Sequence, residues 1–81
     1  MITGTQIREA RRLLDWEARD LAKRAKVQIT TVLRAELSEG EPVITIAHRN
    51  AIQSALESAG IELIPENGGG PEVRLRKQTS A

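Results

Sequence analysis

The chain has 81 residues, no cysteine and one aromatic residue, Trp16, and twelve Lys and Arg against eleven Asp and Glu leave a net charge of +1. That length accommodates one small aliphatic core, and the absence of cysteine excludes a disulfide framework or a thiolate metal site. No apolar run approaches the ~18 residues of a membrane span, and Met1-Ile2-Thr3-Gly4-Thr5 lacks the basic-then-apolar pattern of a leader, so a soluble, cytoplasmic protein with no membrane partner is expected.

The first helix is signalled by Thr3 and Gln6 at capping-box spacing, with Ile2 placed to staple onto Ile7. Ile7, Ala10 and Leu14 mark its inner face, and the helix is expected from Gly4 to Leu14. Asp15 is expected to cap a second helix from Glu17 to Arg24, with Leu21, Ala22 and Ala25 inward and Trp16 plugging the core between helices. Ala25-Lys26-Val27 is too short for anything but a tight turn. A third helix then runs from Gln28 to about Leu37, with Val32 and Ala35 inward, and ends before the loop 38–42. Glu36 reads as the acidic half of an ion pair with a first-helix arginine such as Arg8 or Arg12.

A fourth helix is expected from Thr45 to Ala59, burying Ile52, Ala55, Leu56 and Ala59. Gly60 serves as its left-handed terminator, and Ile61 folds back on Leu56. His48 near its start has no second His or Cys beside it and reads as a surface or capping residue, not a ligand. Ile61 to Ile64 and the alternating Glu72-Val73-Arg74-Leu75-Arg76 read as two strands of a hairpin around Gly68-Gly69-Gly70. No helix and no Lys-Ser/Thr pair follows those glycines, so they make a turn and not a phosphate loop. The fold class is therefore mainly α, with four to five helices over 1–60, a C-terminal β-hairpin over 61–77 packed on the helices or on a partner, and a disordered tail at 78–81.

A short helix, a tight turn and a third helix with Val32 inward make a helix-turn-helix. Trp16, Leu21, Ala22, Ala25, Val27, Thr31, Val32, Arg34 and Glu36 stand at matching positions, and over about residues 6–60 the chain resembles the Cro/C1-type (XRE-like) family. The tail, Ile64-Pro65-Glu66-Asn67-Gly68-Gly69-Gly70-Pro71 followed by Val73-Arg74-Leu75-Arg76-Lys77, is similar to short stand-alone members of rhizobial type. The resemblance implies transcription regulation.

Departures from the family pattern fall where DNA would lie. Glu17-Ala18 replaces the usual Ser-Gln opening of helix two, Lys26 stands for the turn glycine, and Gln28 stands for a Ser cap. Ile29 and Leu33 occupy positions that are usually polar or basic. They share one face at i and i+4, where a groove-reading helix needs hydrogen-bonding or cationic groups.

Two functions follow. In the first, Ile29, Thr30, Leu33, Arg34 and Leu37 bind a protein, which the resemblance suggests is a transcription factor. The chain is then an anti-activator or adaptor, and the rhizobial tail points to a LuxR-type quorum-sensing activator as the target. In the alternative, an operator-binding repressor contacts DNA through Arg19, Lys26, Gln28, Thr30, Thr31 and Arg34, supported by eight cations against four anions in residues 1–34. A plainer account packs Ile29 and Leu33 under the hairpin or into a homodimer seam. Val73 and Leu75 carry the same ambiguity between internal packing and pairing with another copy. With no Cys or Tyr, one His and no paired carboxylates on a cleft-forming scaffold, no catalytic residues, cofactor or metal are expected, and monomer and homodimer stay open.

Overall fold

The computed structural model describes residues 2–38, 44–64 and 72–76. It contains four helices, α1 (Gly4–Leu13), α2 (Ala18–Ala25), α3 (Ile29–Glu36) and α4 (Ile46–Ser58), then strands β1 (Ile61–Ile64) and β2 (Glu72–Leu75). Those elements make a mainly α domain closed by a short antiparallel hairpin, in register Ile61 with Leu75, Glu62 with Arg74, Leu63 with Val73 and Ile64 with Glu72. The loop from residue 39, the glycine turn and the end of the chain, all named above, lie outside the described residues.

The capping box of α1 forms as its spacing requires. The Thr3 hydroxyl accepts from the Gln6 N–H at 3.1 Å, and Gln6 Oε1 accepts from the Thr3 N–H at 2.9 Å. Gln6 does more than its spacing foretells. It is buried, and its Nε2 donates to the carbonyls of Ile64 (3.2 Å) and Glu72 (2.9 Å), fastening the far end of the hairpin to the start of α1.

Asp15 does not cap α2. It adopts the left-handed conformation at φ 57° and ends α1 instead. The Trp16 N–H reaches back to the Arg11 carbonyl (2.9 Å) and the Asp15 N–H to the Arg12 carbonyl (3.0 Å), the paired bonds of a Schellman ending. The N-cap of α2 is Glu17, whose own N–H is held by Asp20 Oδ2 at 2.8 Å. Asp is among the few non-glycine residues that visit the left-handed region readily, and this use of it wins over capping.

Among the described residues the core consists of Ile2, Ile7, Ala10, Leu21, Ala22, Ala25, Val32, Ala35, Ile52, Leu56 and Ile61. Each fully buried large aliphatic contributes about 1.5–3 kcal/mol relative to exposure. Ala55 and Ala59 are only half-buried, so the buried stripe of α4 is narrower than expected. Trp16 is half-buried against the core rather than plugging it, and its ring carries the Arg24 guanidinium 5.1 Å from its centroid. The hairpin packs on α1 and α4. Among the described residues no helix is long and apolar enough to cross a membrane.

Candidate functional site

The outer face of α3 is positioned by the turn before it and the ties behind it. Lys26 takes the left-handed conformation (φ 60°, ψ 43°) that the sequence allows in place of glycine. The Val27 N–H then bonds the Ala22 carbonyl at 3.0 Å and the Lys26 N–H bonds the Lys23 carbonyl at 3.3 Å, a second Schellman ending that aims the chain into α3. Gln28 is the N-cap, and its side chain makes no capping bond.

At the other end α3 is held firmly. Arg11 grips Glu36 with two parallel bonds, Nε to Oε2 at 2.9 Å and Nη2 to Oε1 at 3.0 Å, while its Nη1 donates to the Trp16 carbonyl at 2.9 Å. Arg8 also reaches Glu36, but through the backbone carbonyl at 3.0 Å. The first-helix partner of the carboxylate is therefore Arg11, not Arg8 or Arg12. Arg11 lies on the face of α1 turned to α3, whereas Arg12 is exposed. The Glu36 hydrogen bond holds the Arg11 guanidinium above its ordinary pKa against the opposing effect of burial, with the charges of Glu36 and Glu17 adding to it.

Gly4 completes the clamp. A methyl group at its Cα would overlap the carbonyl oxygens of Ala35 and Ser38, so the end of α3 and the start of α1 approach as closely as backbone allows. Nothing in the spacing of the sequence marks Gly4 for this task.

On this scaffold Ile29 is 43% exposed, Leu33 46% and Leu37 81%. At i, i+4 and i+8 they form an apolar ridge with exposed Thr30 and Arg34 beside it. The hairpin packs principally on α1 and α4 and leaves this ridge open. The residues named for DNA contact divide. Lys26, Gln28, Thr30 and Arg34 are exposed on α3 or the turn before it, and Thr31 is half-buried. Arg19 is exposed on α2, with its Nε 2.7 Å from Glu17 Oε2. Thr31 and Arg34 line a cleft of 450 Å³ together with Ile44, Thr45 and His48. That neighbourhood was not legible in the sequence, because it depends on how α4 returns past α3. Thr45 caps α4 by accepting from the His48 N–H at 3.1 Å, and the His48 side chain is exposed.

Among the described residues no group of three or more His, Cys, Asp or Glu is placed to hold a metal ion. No family model matches the chain, and neither a curated protein nor a solved structure matches it.

Proposed function

We propose that the chain is a transcription regulator with an XRE-like helix-turn-helix, formed by α2, the Lys26 turn and α3, which uses α3 to bind a protein rather than DNA. One observation carries this reading: the face of α3 that would enter a major groove presents Ile29, Leu33 and Leu37 to solvent. Base edges there offer hydrogen-bond donors and acceptors, and each good bidentate contact contributes about 1–3 kcal/mol of discrimination. Aliphatic side chains forgo that, whereas burying two of them in a protein interface contributes about 1.5–3 kcal/mol each before the costs of association. A ridge at i, i+4 and i+8 suits a helix-in-groove contact. The family resemblance makes the partner a transcription factor and the chain an anti-activator or adaptor, with a LuxR-type quorum-sensing activator as the specific candidate.

Direct operator binding is the second reading, favoured by the exposure of Lys26, Gln28, Thr30 and Arg34 around the same helix. Two measurements separate them. A DNA-binding protein retards its own promoter region in a gel, with affinity falling steeply as salt rises. A protein binder leaves the duplex unshifted, co-purifies with a transcription factor from its native cells, and loses that partner on Leu33→Arg or Ile29→Arg. Retention of both capture and regulation by those variants refutes the ridge as the contact.

A further inference from the structure

We propose, resting on the protein-binding reading of α3, that the partner's contact element is an amphipathic helix with an aspartate or glutamate on one flank, and that this carboxylate docks on Arg34 in the cleft beside the ridge. Arg34 follows Thr30 by one turn, so the two make a polar row alongside Ile29, Leu33 and Leu37. The same Arg34 lines the 450 Å³ cleft with Thr31, Ile44, Thr45 and His48, where α4 begins. Arg34 is exposed, and its guanidinium makes no ion pair or hydrogen bond with any described residue. The Thr31 hydroxyl and the His48 ring are likewise without a bond among the described residues. No aspartate or glutamate is among the described residues lining the cleft.

The charges along the ridge have one sign. Lys26 is exposed in the turn before α3, Arg34 stands in its last turn, and Arg8 reaches the Glu36 carbonyl at its end. The single anion of α3, Glu36, is buried and taken by Arg11. An apolar helix laid along Ile29, Leu33 and Leu37 is therefore favoured when its flank is acidic and repelled when its flank is basic. The guanidinium fork binds a carboxylate through two parallel bonds, and Thr31 and His48 supply further donors around it. Ile44 gives the cleft an apolar wall against which the methylenes of a glutamate can lie. A phosphate also suits Arg34, but a duplex seated there brings sugars and base edges against three aliphatic side chains that donate nothing.

Selection against the immobilised full chain from a phage library of randomised helical peptides, about 20 residues long, tests this. Wild type enriches peptides with apolar residues at i, i+3 or i+4, and i+7 and with Asp or Glu on one flank. Arg34→Glu enriches Lys or Arg on that flank instead, and Leu33→Arg captures neither set. In fluorescence anisotropy an enriched acidic peptide loses about tenfold or more in affinity on Arg34→Glu. Replacing its acidic residue by lysine restores binding to that variant, a rescue that a merely structural Arg34 cannot give. Peptides that need Leu33 but bind Arg34→Glu as well as wild type overturn the carboxylate contact and leave the ridge standing as a protein-binding surface. Peptides indifferent to Leu33→Arg, or no enrichment at all, overturn both. Displacement of the peptide by a promoter duplex at equal concentration, or a dimer in sedimentation velocity that Leu33→Arg breaks, assigns the surface to DNA or to a second copy and overturns the proposal.

Discussion

Removing Arg11 is expected to damage the fold far more than neutralising its partner. Glu36 is 6% exposed, and the Arg11 side chain, at 21%, is the only charged group holding its carboxylate among the described residues. Arg11→Met leaves a buried carboxylate with neither counter-charge nor donors, and a buried pair broken in this way typically costs about 3–5 kcal/mol. Glu36→Gln keeps an amide oxygen for one of the two bonds, and the guanidinium retains the Trp16 carbonyl and some solvent, so the loss is about 1–2 kcal/mol. The double variant Arg11→Met with Glu36→Leu removes both charges and fills the space, and is expected within about 1–2 kcal/mol of wild type. A domain of this size has roughly 4–12 kcal/mol in total, so the first variant leaves a substantial unfolded fraction. Urea titration followed by far-ultraviolet circular dichroism, with Trp16 fluorescence as a second probe, reads all three. Equal losses for the two single variants, or a double variant as unstable as Arg11→Met, refute the claim that the unpaired carboxylate is the liability. Because the folded Arg11 pKa is raised, its contribution is complete below the unfolded arginine value and lost only in strong alkali, so it does not vary around neutral pH.

Gly4 and Lys26 support the same face of α3, and Gln6 holds the hairpin. Gly4→Ala drives a methyl into the carbonyls of Ala35 and Ser38 and is expected to lower stability by about 1–3 kcal/mol despite alanine's better helix propensity, read as a lower urea midpoint. Lys26→Gly relieves a left-handed residue costing about 1–2 kcal/mol but adds unfolded-state freedom of about 0.4–1 kcal/mol. The net is a rise of a few degrees in Tm, and a fall sinks the account of the turn. Gln6→Ala removes both ties to the hairpin, so amide exchange is expected to quicken in β1 and β2 before it does in α2 and α3. Ile29→Arg and Leu33→Arg sit on an exposed face and are expected to change stability by less than about 0.5 kcal/mol; a large loss in thermal melts means the ridge serves the core.

The helices were legible because their apolar spacing, the Thr3–Gln6 box and Gly60 act locally, and so was the antiparallel pairing of the two C-terminal strands. The outward direction of Ile29 and Leu33 was also legible, since Val32 and Ala35 already claimed the inner side of α3. Asp15 misled because one residue type serves both as an N-cap and as a left-handed terminator, and only the returning N–H of Trp16 decides between them. The choice among Arg8, Arg11 and Arg12 turned on the rotation of α1 against α3, and Gly4 on how closely two backbones meet. Both are tertiary distances that no spacing in the chain encodes. The second role of Gln6 was hidden for the same reason, its partners lying 58 and 66 residues away.

The two ends of α3 are held unequally. Its last turn is clamped by Arg8, Arg11 and the approach to Gly4, while its first turn begins at Gln28 without a side-chain cap. On the proposed protein-binding reading, a partner therefore meets a stiff anchor around Leu33 and a more yielding contact around Ile29. Little ordering entropy remains to be lost at the anchor, so complexes are expected to seat there first, with Ile29 adjusting afterwards to whatever shape it finds.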